Sequence, residues 1–211
     1  MSISRKIVTS LSLLAALTSL NAQNQEEAKE LMEKTSRKLQ SYESIQADFT
    51  FTLINPQENI KDTYEGTLQL SGKQYQLSLM GIIAYCNGET LWSVNPEIKE
   101  TTVLDPAENE LFNPQAIFRL YEKPFRYQMV SSSGDKAVID LFPEEKEESY
   151  TKIRLTVLKS KDQIDRVTFY STDGNQYEIV ITRMTTGAPI PSKNFSYDPA
   201  NYPGFKVYDM R

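Results

Sequence analysis

Phe49-Thr50-Phe51-Thr52-Leu53 decides the architecture of this chain. Large apolar side chains stand at every second position, with threonine between them. Successive side chains of a strand point to opposite faces, so a two-residue period marks a strand with one buried face. The pattern recurs downstream. Leu68 and Leu70 alternate with Thr67 and Gln69, and Tyr75, Leu77 and Leu79 alternate with Gln76 and Ser78. Asn87-Gly88 is a hairpin signal between residues 82–86 and 90–94. Further strands are expected over 99–104, 126–130 and 137–142. Ile153, Leu155 and Val157 alternate with basic and polar residues, and strands at 167–170 and 177–182 flank the turn residues Asp173-Gly174. Residues 194–197 and 205–208 read as short closing strands. The sum is about ten or eleven antiparallel strands. So many meander strands favour one strongly curved sheet or open barrel over a parallel α/β sheet.

A curved sheet needs cover on its concave face. Two helical stretches are available. Ala28, Leu31, Met32, Thr35, Leu39 and Tyr42 recur at three- and four-residue steps, with charged residues on the other faces. That is an amphipathic helix with one apolar stripe. Mid-chain, Asp105-Pro106 breaks a strand and Asn113-Pro114 reads as a helix cap with proline at the first position. Ile117, Phe118 and Tyr121 then share one face, and Pro124 ends the segment. The acidic run Glu144–Glu148 reads as a solvated hairpin loop.

The N-terminus carries an address. Arg5 and Lys6 precede an uncharged run of 14 residues from Ile7 to Leu20, and Leu20-Asn21-Ala22 places a small residue before Gln23. This is the pattern of a cleavable secretory signal peptide. The run is shorter than the roughly 20 residues a membrane span needs, and it holds no cysteine for a lipid anchor. An uncleaved membrane anchor is the alternative. The expected division is a signal peptide over 1–22 and a single exported domain over 23–211.

Composition narrows the chemistry. The 211 residues include 23 basic and 28 acidic side chains, a net charge of −5, and no basic window that would attract nucleic acid. Cys86 is the single cysteine and lies in an apolar run, so a buried structural thiol is expected and no internal disulfide. There is no histidine, which excludes Ser-His-Asp and Cys-His machinery and histidine-ligated zinc. Carboxylate pairs, such as Asp48 with Glu65 or Asp162 with Asp165, and Ser-Lys dyads remain. Asp135 and Asp173 stand beside glycines and are explained by turn chemistry. No glycine-rich phosphate loop or metal-ligand cluster is present, so no catalytic, cofactor-binding or metal-ligating residue is assigned. The residues point to an exported β-rich binding domain. Its inward positions fit either a dry core or a hydrophobic cavity under a helical lid.

Asn87-Gly88-Glu89-Thr90-Leu91-Trp92-Ser93-Val94-Asn95-Pro96 resembles the "D-G-x-x-L-W-x-Y-x-P" segment of LolA-type periplasmic lipoprotein carriers. Other pieces fall in the same order. Gln46-Ala47-Asp48-Phe49-Thr50-Phe51 resembles the first strand of that family, and Gly66-Thr67-Leu68-Gln69-Leu70 its second. Ser196-Tyr197-Asp198-Pro199, followed by Phe205-Lys206-Val207-Tyr208-Asp209, resembles its ending. The resemblance implies an incomplete antiparallel β-barrel with helices as a lid over a hydrophobic cavity. It implies a monomeric periplasmic carrier without cofactor that moves lipid-modified proteins to the outer membrane. The implied partners are an inner-membrane ATP-driven extractor and an outer-membrane acceptor.

On that reading the acyl-cavity wall is Phe49, Phe51, Leu68, Leu70, Tyr75, Leu77, Leu79, Trp92 and Val94, and the lid is Leu31, Met32, Ile117 and Phe118. The opposite register would turn Leu91 and Ser93 inward instead of Trp92 and Val94. Two departures stand out. Ser71-Gly72-Lys73 replaces a basic "K-R-P" whose arginine is associated with holding the lid shut, and the closing loop is lengthened over 198–204. A carrier of a different lipid, a carboxylate-dependent enzyme and a protein-binding envelope sensor are the competing readings.

Overall fold

The structure is a computed structural model that describes residues 23–108, 114, 123–145 and 149–211. The expected signal peptide and the mid-chain helix with its cap residue Asn113 lie outside the described residues.

Helix α1 is helical from residue 23 to residue 40. It buries Ala28, Met32, Thr35, Ser36 and Leu39, the stripe that its three- and four-residue spacing sets. Its last turn tightens, as the Ser41 amide donates to both the Arg37 and Lys38 carbonyls and its hydroxyl donates to Lys38 at 2.7 Å.

Twelve strands follow among the described residues. They are β1 (Ile45–Asn55), β2 (Ile60–Ser71), β3 (Gln74–Leu79), β4 (Ile82–Cys86), β5 (Leu91–Asn95) and β6 (Glu100–Leu104), then β7 (Phe125–Ser133), β8 (Lys136–Pro143), β9 (Tyr150–Leu158), β10 (Gln163–Ser171), β11 (Gln176–Thr186) and β12 (Lys206–Asp209). They form a single sheet in the order β12-β6-β5-β4-β3-β2-β1-β11-β10-β9-β8-β7, and its two ends do not pair, so the barrel is open. The pairing of β1 with β11, the first long strand against the last, joins two meanders into one surface.

Two expectations are corrected. Residues 194–197 do not form a strand. Ser192–Phe195 is a 3-10 turn, pinned by a fully buried Phe195 and by the Asn194 amide donating to Gln69 Oε1 at 3.1 Å. Prolines 189, 191, 199 and 203 remove backbone donors there, so burial rather than pairing fixes the segment. The last strand, β12, does pair, but parallel to β6.

The two faces of the sheet have separate cores. The concave core gathers Met32 and Leu39 of α1 with Ile45, Leu70, Ile139, Leu155 and other inward residues. The convex face is covered over β3 and β4 by the C-terminal segment, where Tyr85 and Tyr202 share a hydroxyl–hydroxyl bond of 2.7 Å.

The convex face of β8 and β9 holds a buried carboxylate. Asp140 lies opposite Arg154, which donates from Nε at 2.6 Å and from Nη2 at 2.8 Å, and Lys152 Nζ adds a third bond at 3.0 Å. Burial alone would raise the Asp140 carboxyl, but the bonds from Arg154 and Lys152 outweigh it and hold it below its ordinary value. Such a group stabilises the fold fully above the ordinary carboxylate range, near about pH 4, and loses that contribution as pH falls through the lower folded value. Asp140→Asn is therefore expected to cost about 2 kcal/mol at pH 7. Urea denaturation at pH 7 and pH 3 checks this, because the gap between variant and parent has to shrink at the lower pH.

Candidate functional site

The concave face is assembled by register. Leu70, Tyr75, Cys86 and Leu91 form one row across β2 to β5, all buried. The next row is Leu68, Leu77, Ala84 and Ser93. The third is Gly66, Leu79 and Ile82, of which Leu79 and Ile82 are half-buried. Along β1, Ile45, Ala47 and Phe49 are buried, whereas Phe51 and Leu53 are half-buried. Over β1 to β5 burial thus falls from the end where β1 begins to the end where it finishes, whereas on β7 to β9 Phe125, Tyr127, Leu141 and Ile153 at that far end stay buried.

Helix α1 is joined to β1 by a short link and packs on the concave face through Ala28, Met32 and Leu39. Lys34 Nζ reaches Asp162 in the β9–β10 turn at 2.9 Å. Glu33 lies near enough to Tyr127 of β7 that its charge, after burial, helps to push that phenol up. The Lys34–Asp162 pair is exposed on the lysine side and so is worth about 0–1 kcal/mol. The apolar stripe, not this ion pair, holds α1 down. Where β1 finishes, the concave face carries aromatics, with Phe51 stacked on Tyr177 at 6.2 Å and Tyr150 edge-on to Phe169 at 6.0 Å.

Phe49 has a particular seat. It pairs with Gly66 across β1 and β2. A Cβ on Gly66 would lie 2.3 Å from Phe49 Cζ, so the ring rests on the glycine backbone itself.

Seven of the nine expected wall residues share the concave face: Phe49, Leu68, Leu70 and Tyr75 are buried there, and Phe51, Leu77 and Leu79 are half-buried. Trp92 and Val94 are corrected. Cys86 pairs with Leu91 and Ala84 with Ser93, so Leu91 and Ser93 face inward while Trp92 and Val94 point to the convex side. Of the lid residues, Met32 is buried and Leu31 packs against the concave core, whereas Ile117 and Phe118 lie outside the described residues. The expected wall also omits Phe169 and Ile179, whose strands carry the same two-residue alternation.

Three of the four carboxylates in the candidate pairs are held by bases. Asp48 bonds Arg183 at 2.6 Å, Asp162 bonds Lys34 and Asp165 bonds Lys136 at 2.8 Å. Asp48 and Glu65 lie opposite Thr67 and Thr50 and share their convex face. Among the described residues no group of three His, Cys, Asp or Glu could hold a metal ion. Cys86 is buried, and burial pushes its thiol up, away from the reactive range. Among the described residues no helix is long and apolar enough to cross a membrane.

The site is therefore an apolar trough with a helix packed onto it. The sequence profile of the family described as outer membrane lipoprotein carrier protein LolA matches residues 40–198. The chain belongs to the LolA family. The match begins at the last residue of α1 and covers the open sheet through β11. The LolA-family fold also appears in an uncharacterized conserved protein from Thermus thermophilus, with a TM-score of 0.58 at 9% identity, covering 87% of this chain and 99% of that one. A LolA superfamily protein from Nitrosomonas europaea aligns at 16% identity with a TM-score of 0.42, covering 81% of this chain and 98% of that one. No curated protein sequence matches the chain. The LolA fold is a carrier and binding fold, and that is the class of this protein.

Proposed function

We propose that this protein is a periplasmic carrier that shields the acyl chains of lipid-modified proteins in its concave trough and moves them from the inner to the outer membrane. The observation that carries this reading is one continuous apolar face under α1, buried over most of its area and half-exposed where β1 to β4 finish at Phe51, Leu79 and Ile82. Each acyl methylene removed from water gains about 0.8 kcal/mol, so an exposed lipid anchor does not cross an aqueous space unaided. Phe49, Phe51, Leu68, Leu70, Tyr75, Leu77 and Leu79 form the wall, joined by Leu91. Leu31 and Met32 form the lid, with Ile117 and Phe118 as its second part. An inner-membrane ATP-driven extractor loads the monomeric carrier and an outer-membrane acceptor unloads it. No chemistry by the carrier is needed.

The test is a charge in the half-exposed wall. Leu68 is buried in the concave core, so a charge there would unfold the site it probes. Leu77 is already half-exposed. Leu77→Glu is expected to weaken binding of a fluorescent palmitoylated lipopeptide at least about tenfold, about 1.4 kcal/mol, because an acyl chain against a carboxylate must desolvate it. The melting temperature should stay near that of the parent. Equal binding by the folded variant would move the wall elsewhere. Mass spectrometry of co-purified ligand distinguishes lipoprotein from another lipid, and depletion in cells should strand lipoproteins at the inner membrane.

A further inference from the structure

Three exposed apolar side chains stand at successive hairpin tips on one end of this molecule. They are Ile60 after the β1–β2 turn, Met80 in the β3–β4 turn and Ile98 in the β5–β6 turn, at 41%, 52% and 59% exposure. The other ends of the same strands are polar. The β2–β3 turn is Ser71-Gly72-Lys73-Gln74 and the β4–β5 loop is Asn87-Gly88-Glu89-Thr90. The apolar end is also the end at which Leu79 and Phe51 leave the concave face half-open.

Met80 is placed there against local preference. Leu79-Met80-Gly81-Ile82 is a two-residue hairpin with φ of +51° at Met80 and +77° at Gly81. Both central residues of such a turn need positive φ, which favours Asn-Gly. A methionine in the left-handed region is strained, and burial does little to compensate this one, since half its surface faces water. Ile98 sits at the same level on the neighbouring hairpin, because Ile83 pairs with Val94 and Asn95 with Glu100. Residues 60–65 of β2 run past the end of β3, which carries Ile60 further out.

We infer that these tips form a membrane-contact rim, with which the protein rests the mouth of its trough on an uncharged lipid surface. Single apolar side chains on separate turns offer no flat patch for a folded partner, but each inserts on its own into a bilayer interface. Lys61 and Lys99 flank the tips and can extend their ammonium groups to the headgroup level. Glu58 and Glu97 flank them as well, so attraction to anionic lipid is not the driving force. The purpose of the rim rests on the carrier reading, because it would let an acyl chain pass between bilayer and trough without crossing water. Its existence does not.

The experiment is flotation of the mature protein, without ligand, on liposomes of phosphatidylethanolamine and phosphatidylcholine. The parent should float at both low and high salt. The double variant Met80→Asn, Ile98→Ser should lose at least about tenfold in partitioning per side chain removed. It should still bind palmitoylated lipopeptide in solution, and it should not melt lower, since Asn-Gly suits the turn. A parent that stays in the dense fraction overturns the rim, as does a variant that floats equally well. Binding that needs anionic lipid and disappears in salt overturns it too. A parent that ignores liposomes but holds a purified membrane protein through these tips replaces lipid by protein. Loss of lipopeptide binding in the parent itself would sink the carrier reading and leave the rim standing.

Discussion

Gly66→Ala will destabilise the protein by about 2 kcal/mol, and the same substitution in a Phe49→Ala background will cost almost nothing. No left-handed backbone explains Gly66, since its φ is not positive. Its reason is the Phe49 ring. The ring lies on the glycine across the β1–β2 pair, with Cζ and both Cε atoms within 3 Å of where a Cβ would be. Phe49 is 9% exposed and packed in the concave core, so the ring cannot swing away without leaving a void or striking its neighbours. Remove the ring and alanine becomes the better strand residue, because glycine loses more backbone entropy on folding.

The double-mutant cycle therefore predicts a coupling of about 2 kcal/mol, within the range for residues in direct contact. Urea denaturation of the four proteins measures it. Phe49→Leu serves in place of Phe49→Ala should the latter prove too unstable to analyse, as Phe→Ala in a core costs about 3–5 kcal/mol. A coupling under about 0.5 kcal/mol would mean that the ring accommodates the methyl freely, and the seat would then have no energetic content.

This pair also shows what alternation conveys. Phe49, Phe51 and Leu53 revealed a face, because a one-residue slip in β1 would put three large side chains into water. The same reasoning reached Leu68, Leu70, Tyr75, Leu77 and Leu79. It failed at Leu91-Trp92-Ser93-Val94, where three of four residues are apolar. That strand is buried on both sides, with Leu91 inward and Val94 outward both at 0% exposure, and a strand buried on both faces loses its alternation. Only the pairing of Cys86 with Leu91, fixed by the loop in which Asn87 Oδ1 accepts from the Glu89 and Thr90 amides, decides the direction. The parallel pairing of β12 with β6 was equally hidden, since it joins strands far apart in the sequence and no local turn announces it. Periodicity names a face but not a depth. That Phe49 is sealed and Phe51 half-open depends on what packs over the face, which is a tertiary fact.

Thr35→Val with Ser36→Ala will raise the melting temperature of the empty protein and slow its uptake of acyl ligand. Both residues lie on the buried face of α1 at 0% exposure, and neither hydroxyl has a hydrogen-bond partner among the described residues. A buried hydroxyl without a partner costs about 1–3 kcal/mol. When α1 lifts, water satisfies both groups, so the cost falls on the closed state alone. Met32, Ala28 and Leu39 draw the helix onto the sheet while the two hydroxyls oppose them. On the carrier reading this balance keeps an empty trough from closing too tightly to admit cargo. Replacing both hydroxyls should recover about 2–4 kcal/mol, which for a domain of this size raises the melting temperature by roughly 4–16 °C. Apparent affinity for the lipopeptide falls in proportion to the smaller open fraction. Ser36→Ala also improves helix propensity, by about half a kcal/mol. Thr35→Val does not, so the single valine variant isolates the buried hydroxyl. If Thr35→Val melts no higher than the parent, the hydroxyl is satisfied in solution and α1 closes without this opposition. If it melts higher but takes up ligand as fast as before, α1 is not the element that moves.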